Sequence, residues 1–298
     1  MRKKSRKKIT MIDKNELCWC ESGLKYKNCH FHFDQRLIDL SKKGYIVPKR
    51  NNIKTKNQID GIKKSAEINN GVLDLISLNI KEGMTTQEID DLAYEYIVSK
   101  GGIPATLNYD GFPKSICTSV NNVVCHGIPS EDVILKNGDI INVDSTTILN
   151  GYYSDASRMF MIGDVNEEAK KLVEITKECL NKGLQAVKPW GFLGDIGAVI
   201  QEHAESMGYS VVRDFGGHGI GLSIHEDPLI LHVGIKETGM ILVPGMVFTI
   251  EPMINAGSYK IFVDKDNGWT ACTKDGSLSA QWEHTILVTE DGIEIISK

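Results

Sequence analysis

Asp144 stands at the end of an apolar run, where a solvated carboxylate would be unusual. Ile140, Ile141 and Val143 come just before it and indicate a buried strand. A lone buried carboxylate is unfavourable unless it is paired with a cation or bound to a metal ion. Asp144 is therefore a candidate metal ligand, and an ordinary surface aspartate is the alternative.

A second carboxylate lies one hairpin further along the chain. Asn150-Gly151 is a strong signal for a two-residue hairpin turn, which would place Asp155 opposite Thr146. Positions 144 and 146 share one face of a strand, so Asp144 and Asp155 become diagonal neighbours, about 7–8 Å apart at the backbone. Both carboxylates could then reach a pair of metal ions about 3.5–4 Å apart.

Three further side chains complete the possible ligand set. Glu251 and Glu283 also lie in strand-like surroundings, and the glycines around His218 free the backbone to orient its imidazole. Four carboxylates and one neutral imidazole suit Mn, Fe, Co or Zn. Two ions sharing five protein ligands keep open coordination positions, as catalysis requires. We therefore predict a centre of two divalent ions held by Asp144, Asp155, His218, Glu251 and Glu283.

The chain also contains an internal repeat. Residues 138–144 and 245–251 align without gaps, each an apolar strand that ends in a carboxylate, and residues 125–128 echo residues 217–220. Two halves related by a pseudo-twofold axis would bring both carboxylates and both histidines to one cleft. Coincidence between short apolar strands is the alternative.

The elements that must position these residues follow the same duplication. Helical periodicity begins at Ile62, and a capping box from Thr85 to Glu88 starts a second helix. Helical patterns return over 167–187 and 195–207, and strand-like segments follow each pair of helices. This order, helix, helix, strands, occurs twice and indicates an α+β fold.

A separate cluster of metal-binding side chains lies near the N-terminus. Cys18, Cys20, Cys29 and His30 form a C-x-C-x8-C-H pattern, which predicts a closed tetrahedral site for one structural zinc ion. A module this small folds only around its metal.

Composition limits the class of protein. Of 298 residues, 41% are hydrophobic and 24% charged, which excludes a disordered chain, a collagen or a coiled-coil rod. No stretch approaches the roughly 18 to 20 apolar residues of a membrane span, so we expect no membrane partner. Seven cysteines, an odd and scattered set, favour a reducing, cytoplasmic location. Residues 1–64 hold 18 Lys/Arg against 6 Asp/Glu. This basic head indicates contact with a polyanion such as ribosomal RNA, and a solvated basic tail is the alternative.

Over about residues 60–298 the chain resembles a type I methionine aminopeptidase. The motifs that carry the resemblance occur in order: YDGFPKSIC (109–117), VVCHGIP (123–129), NVD (142–144), DASRMF (155–160), GHGIG (217–221), TIEP (249–252) and SAQWEH (279–284). The resemblance implies the pita-bread fold, with two pseudo-twofold halves around a dinuclear metal centre. It also implies the same five ligands that the residues themselves indicate.

The resemblance further implies a reaction. A metal-bridging water would attack the first peptide bond and release the N-terminal methionine of nascent proteins and peptides, preferably before a small second residue. We expect Glu251 to carry the proton. His126 and His225 match positions that contact the scissile peptide and stabilise the tetrahedral state.

By the same resemblance, the methionine side chain enters an apolar slot. Tyr109, Phe112, Cys117 and Trp269 would line it, with Ile224 near the mouth; aromatic rings and a thiol suit a thioether. Ile224 and Thr106 depart from commoner residues, which leaves the shape of the slot open.

The cysteine cluster resembles a SEC-C module. Trp19 and Glu21 depart from its usual pattern, and Lys25 and Lys27 add to a cationic face. The resemblance implies docking, to ribosomes or to a nascent-chain factor. We thus expect a monomer with a basic tail and zinc module over 1–45, a linker over 46–60 and a catalytic domain over 61–298.

Three rival interpretations remain. A binding protein that had lost catalysis would have no need of the complete ligand set. An Xaa-Pro peptidase of the same superfamily fits the segments around His126 and Glu283 less well. A type II enzyme would carry a sizeable insertion in the second half, and the short interval between His225 and Glu251 leaves little room for one.

Overall fold

The computed structural model describes residues 11–298. The basic residues among the first eight positions lie outside that range. The described part contains five α-helices: α1 Phe31–Lys42, α2 Lys56–Asn79, α3 Thr86–Ser99, α4 Glu167–Ala186 and α5 Gly194–Ser206.

Fifteen strands accompany these helices within residues 11–298. They are β1 Ile103–Pro104, β2 Cys117–Val120, β3 Val123–Cys125, β4 Ile140–Leu149, β5 Tyr152–Met161, β6 Ser210–Val211, β7 Gly217–Gly219, β8 Glu226–Ile230, β9 Val247–Ile250, β10 Met253–Asn255, β11 Ile261–Val263, β12 Ala271–Thr273, β13 Ser279–Gln281, β14 Glu283–Val288 and β15 Ile293–Ser297.

The central sheet joins two similar halves. Its strands follow the order β1-β4-β5-β14-β9-β7-β8, with β2 added on β4 and β15 on β14. Helix α2 packs on β4 and β5 and contacts α3, whereas α4 contacts α5 and packs near β9 and β13. The halves meet where β5 pairs with β14. The predicted repetition of two helices followed by strands is therefore present.

The β4–β5 hairpin has the register that its turn predicts. Asn150 and Gly151 adopt φ values of 52° and 82°, as a two-residue turn of type I′ requires. Thr146 consequently pairs with Asp155, and Asp144 pairs with Ser157. The prediction that Asp144 and Asp155 are diagonal neighbours on one face is confirmed.

Local capping and burial explain where the first helices lie. The Thr85 side chain accepts the N–H of Glu88, and Glu88 Oε2 accepts the N–H of Thr85 at 2.7 Å, which is the predicted capping box. Along α2 the buried face includes Ile62, Val72 and Ile76. These apolar side chains bring α2 against the sheet that carries the hairpin.

Residues 46–60, predicted as a linker, lie on the body of the chain, that is, on residues 61–298. Ile46 bridges Met240, and Ile53 bridges Met246. Helix α2 begins within this stretch, at Lys56. The predicted domain boundaries at residues 45 and 60 stay a prediction, because contacts between segments do not by themselves define where a domain begins or ends.

The N-terminal module also contacts the body. Asp34 of α1 is fully buried, and its two oxygens accept from Arg50 at 2.6 and 2.8 Å. Trp190 of the body has a φ of 68°, which bulky side chains rarely adopt. Its ring lies 5.3 Å from Phe33, and the Arg36 guanidinium lies 3.7 Å above it. Helix α1 thus contacts the body through Phe33 and Arg36, and its Asp34 pairs with Arg50 of the segment 46–60.

Among the helices of residues 11–298, none combines the length and the apolar character needed to cross a membrane.

Candidate active site

The five predicted ligands line one cavity of about 370 Å³. The register of the central sheet explains how three of them meet. Ser157 of β5 pairs with Asp144 on one side and with Glu283 on the other, and Asp155 lies two residues away on the same face. Glu251 directly follows β9 and His218 lies in β7, so both approach from the second half of the sheet.

The side chains come close enough to share ions. His218 Nε2 lies 3.6 Å from Glu251 Oε1 and 3.9 Å from Asp155 Oδ2. Ligand atoms of Asp155, His218 and Glu283 all lie within 4.8 Å of one another. Asp144 lines the same cavity beside Cys117, its partner across β2 and β4.

Two of the four carboxylates leave an oxygen without the partner that a buried charge needs. Asp144 Oδ1 and Asp155 Oδ1 are buried without a hydrogen-bond partner. Within residues 11–298, no lysine or arginine forms a salt bridge with any carboxylate of the cluster. A buried acidic cluster without a cation is strongly unfavourable. This donor set therefore fits divalent ions.

Burial dominates the electrostatics of the cluster. It raises the pKa of Glu251 to about 8 and that of Asp144 to about 6. The pKa values of Asp155 and Glu283 are raised well above the usual range, first by burial and then by the neighbouring carboxylates. Divalent ions would reverse these shifts by stabilising the ionised forms.

His218 is oriented as a metal ligand. Its Nδ1 lies 3.1 Å from the carbonyl oxygen of Gly219, to which a protonated Nδ1 donates, and this leaves the Nε2 lone pair facing the carboxylates. Burial lowers the pKa of His218 to about 3, so the imidazole is neutral near pH 7. A neutral imidazole among acidic groups is suited to coordination rather than to an ion pair.

Three neighbours to which the sequence analysis assigned no role hold Glu251 in place, and two of them, Thr249 and Gln281, lie within the motifs TIEP and SAQWEH. Thr249 Oγ1 donates to Glu251 Oε1 at 2.8 Å, and Gln281 Nε2 donates to Oε2 at 3.2 Å. His232 Nε2 accepts the backbone N–H of Glu251 at 3.1 Å. Thr249 lies two positions before Glu251, so strand alternation could have indicated it; His232 carries no such signal.

The predicted apolar slot opens beside the cluster. Phe112 and Trp269 pack edge to face with ring centroids 5.3 Å apart. The cavity is lined by every residue predicted for the slot, namely Tyr109, Phe112, Cys117, Ile224 and Trp269, and also by Phe215 and Met253, which the sequence did not indicate.

Both predicted peptide-contacting histidines face this cavity. His126 lies between the rings of Phe215 and Trp269, at 5.3 and 6.0 Å. Its φ is 56°, and burial lowers its pKa to about 4. The hydroxyl of Tyr109 lies 2.9 Å from His225 Nδ1. Burial also lowers the pKa of His225. Both rings are thus neutral near pH 7 and able to donate one N–H each.

Comparison with known proteins agrees with this geometry. The profile of Metallopeptidase family M24 matches residues 60–290, and the Methionine aminopeptidase A of Synechocystis is 52% identical over 243 residues, 82% of this chain and 96% of that protein. The chain belongs to the methionine aminopeptidases of family M24. The methionine aminopeptidase of Chlamydia trachomatis is 44% identical over 289 residues, 96% of this chain and 99% of the relative.

A solved structure confirms the architecture. The crystal structure of the methionine aminopeptidase from Rickettsia prowazekii superposes with a TM-score of 0.81 at 50% identity, covering 83% of this chain and 99% of that one. The predicted pita-bread fold of this M24 peptidase is therefore confirmed. The roles of its individual side chains stay predictions.

A second family model matches the N-terminal cluster of cysteine and histidine residues. The SEC-C motif profile covers residues 15–31, as the sequence predicted. His30 Nδ1 lies 3.3 Å from Cys18 Sγ and 3.1 Å from Cys29 Sγ, and Cys20 Sγ lies 3.5 Å from Cys29 Sγ. These four side chains converge closely enough to hold a metal ion.

Proposed function

We propose that this chain removes the N-terminal methionine from nascent proteins and peptides by hydrolysis at a pair of divalent ions. The single observation that carries this proposal is a set of five potential ligands that line one cavity with an apolar slot and that form no salt bridge with a lysine or arginine of residues 11–298. The relatives named above are methionine aminopeptidases, which supports the same substrate.

Asp144, Asp155, His218, Glu251 and Glu283 would hold the ions. When bound, two divalent cations would lower the pKa of the attacking water and polarise the peptide carbonyl. Glu251 is the best placed to move the proton of that water, because Thr249 and Gln281 orient its carboxylate at the cavity. The ligand set is compatible with Mn, Fe, Co or Zn.

His126 and His225 have a different task. Their rings line the same cavity as the five candidate ligands, and the ring of His225 lies 4.4 Å from that of His218. A donor aimed at the carbonyl oxygen stabilises the charge that develops in the tetrahedral state. The hydrogen bond with Tyr109 fixes the ring of His225 for this purpose.

The slot explains the preference for methionine. Its walls are formed by Phe112, Trp269 and the buried thiol of Cys117. Aromatic rings and sulfur make favourable contacts with a thioether. We propose that the second residue of the substrate must be small, because the side chains of Tyr109 and His225 stand together at the same cavity.

The N-terminal module would have a docking role. We propose that Cys18, Cys20, Cys29 and His30 bind one zinc ion and that Lys25 and Lys27 contribute a cationic face for a ribosome or a nascent-chain factor. The seven cysteines, all within residues 11–298, form no disulfide with one another, and we propose a reducing cytoplasm as the location. We expect the enzyme to act as a monomer.

A peptide panel tests the proposal. Metal-free protein is incubated with Met-Ala-Ser, Met-Pro-type peptides, Met-Leu-Ser and Ala-Pro peptides, each with a single divalent ion. We expect methionine release from the peptides with a small second residue and little from Met-Leu-Ser. Cleavage of Ala-Pro peptides alone would favour the Xaa-Pro interpretation, and no cleavage with any ion would favour a binding protein.

A further inference from the structure

The loop that carries His225 is closed by one of its own side chains. We call residues 221–227, which run into the first two residues of β8, the His225 loop; residues 224–227 line the cavity. Glu226 Oε1 accepts the backbone N–H of Leu222 at 2.7 Å and that of Ser223 at 3.2 Å. The carboxylate of Glu226 therefore fixes the path of the backbone on which His225 is mounted.

A buried lysine from a distant part of the chain neutralises that carboxylate. The side chain of Lys54 is 1% exposed and forms an ion pair with Glu226 Oε2. The backbone N–H of Lys54 donates to Gly245 O at 2.8 Å, so the lysine is itself anchored to the body. A Cβ built on Gly221 would lie 3.2 Å from Lys54 Cε, which shows how closely the loop passes the lysine stem.

The other end of the loop is held by a second buried side chain. Asn52 is 4% exposed, and its Nδ2 donates to the backbone oxygen of Asp227 at 2.6 Å. Its Oδ1 accepts the N–H of Lys49 at 2.8 Å, which orients the amide. Lys49 also pairs with Asp227, but both side chains are more than half exposed, and such pairs contribute little.

We propose that Lys54 and Asn52 are positioning residues for His225: they hold both ends of the His225 loop against the body. This proposal rests on the proposed function, in which His225 contacts the scissile peptide. A displacement of about 1 Å in a catalytic arrangement can cost on the order of 100-fold in rate. The segment predicted as a linker would thus help to build the pocket wall.

A lysine variant tests the role directly. Lys54→Met keeps the aliphatic stem and removes the charge, which leaves Glu226 without its cation. We expect kcat on Met-Ala-Ser to fall by about 10-fold to 100-fold with little change in KM, while the metal content, measured by elemental analysis, stays the same. Lys63→Met is the matched control, because Lys63 pairs with Glu294 at an exposed site on α2, and its kcat should match that of the wild type.

Combination with a histidine variant separates positioning from general damage. If Lys54 acts through His225, Lys54→Met should lower kcat by less than about 2-fold in a His225→Ala background. An equal fold-loss in both backgrounds, a wild-type kcat in Lys54→Met, or loss of metal would each overturn the positioning role.

A milder variant tests the same role if Lys54→Met does not fold. Glu226→Gln keeps an oxygen that can accept from Leu222 and Ser223 but weakens the pair with Lys54, so kcat should fall by about 3-fold to 10-fold, and only when His225 is present. The same loss without His225, or no loss at all, would overturn the role. A wild-type protein that releases no methionine would instead contradict the proposed function.

Discussion

Thr249 Oγ1 lies 2.8 Å from Glu251 Oε1, to which it donates, and the same hydroxyl accepts the backbone N–H of His218 at 3.0 Å. One fully buried hydroxyl thus joins two candidate ligands that come from different strands. Groups that orient metal ligands matter for affinity, and their mutation typically weakens metal binding by about 10-fold to 100-fold.

Replacement of this hydroxyl should weaken metal binding. Thr249→Val keeps the shape of the side chain but leaves Glu251 and the N–H of His218 without their partner. We expect the affinity for Mn²⁺, measured by titration calorimetry on metal-free protein, to fall by about 10-fold to 100-fold. Thr176→Val is the control, because Thr176 is equally buried and its hydroxyl donates to Leu172 O within α4. Equal affinities in the two variants would contradict this role of Thr249.

His225 should be needed for turnover and not for metal. His225→Ala removes a donor from the cavity wall, and loss of such a donor lowers kcat by about 100-fold to 1,000-fold. Steady-state kinetics and metal analysis on the same sample measure both quantities. His203→Ala on α5 is a control, since His203 pairs with Glu178 away from the cavity. Loss of metal from His225→Ala would show that it is a ligand instead.

The contact between Arg50 and Asp34 should stabilise the whole chain. Arg50→Met leaves a fully buried carboxylate whose remaining side-chain donors within residues 11–298 are Tyr26 and Trp19, which should lower the free energy of unfolding by about 3 kcal/mol. Denaturant unfolding measures the loss.

The exposed pair between Lys42 and Asp39 on the same helix provides the comparison. Lys42→Met should change the free energy of unfolding by less than about 1 kcal/mol. If Arg50→Met were no more destabilising than Lys42→Met, the module would not be docked on the body through this ion pair.

Acid should destabilise the protein partly through His126. Burial lowers the pKa of His126 to about 4 in the folded state, against about 6.5 when unfolded. The contribution of the neutral imidazole to the free energy of unfolding is therefore complete above pH 6.5. It is lost as the pH falls toward 4, because in this range the unfolded chain binds a proton that the folded chain does not. Between pH 6.5 and pH 4, the free energy of unfolding should fall less steeply with decreasing pH in His126→Gln than in the wild type, by up to about 1.4 kcal/mol per pH unit. Parallel stability curves for variant and wild type, from urea unfolding, would contradict this.

Local rules explain which parts of the site the sequence predicts. The Asn150-Gly151 turn fixes the register of its hairpin, so the relation between Asp144 and Asp155 follows from a two-residue signal. The capping box at Thr85 works in the same way. Both depend on neighbours along the chain, and both are confirmed.

Contacts between segments that are far apart in the sequence cannot be predicted from such local signals. Asn52 lies in a polar stretch whose composition suggests a linker, yet it hydrogen-bonds to Asp227, 175 positions away. Trp190 has no periodic pattern that indicates its contact with Phe33. Such pairings are set by the packing of whole elements, and a single sequence contains no local signal for them.

Hydrolysis should depend on ions that are bound by five side chains. Native mass spectrometry of metal-free protein reloaded with Mn²⁺ counts those ions, for the wild type and for the variants Asp155→Asn and Glu283→Gln. We predict that the wild type gains two Mn²⁺ ions and releases methionine, and that each variant loses at least one ion together with most of its activity. Equal Mn²⁺ uptake by all three proteins would contradict the claim.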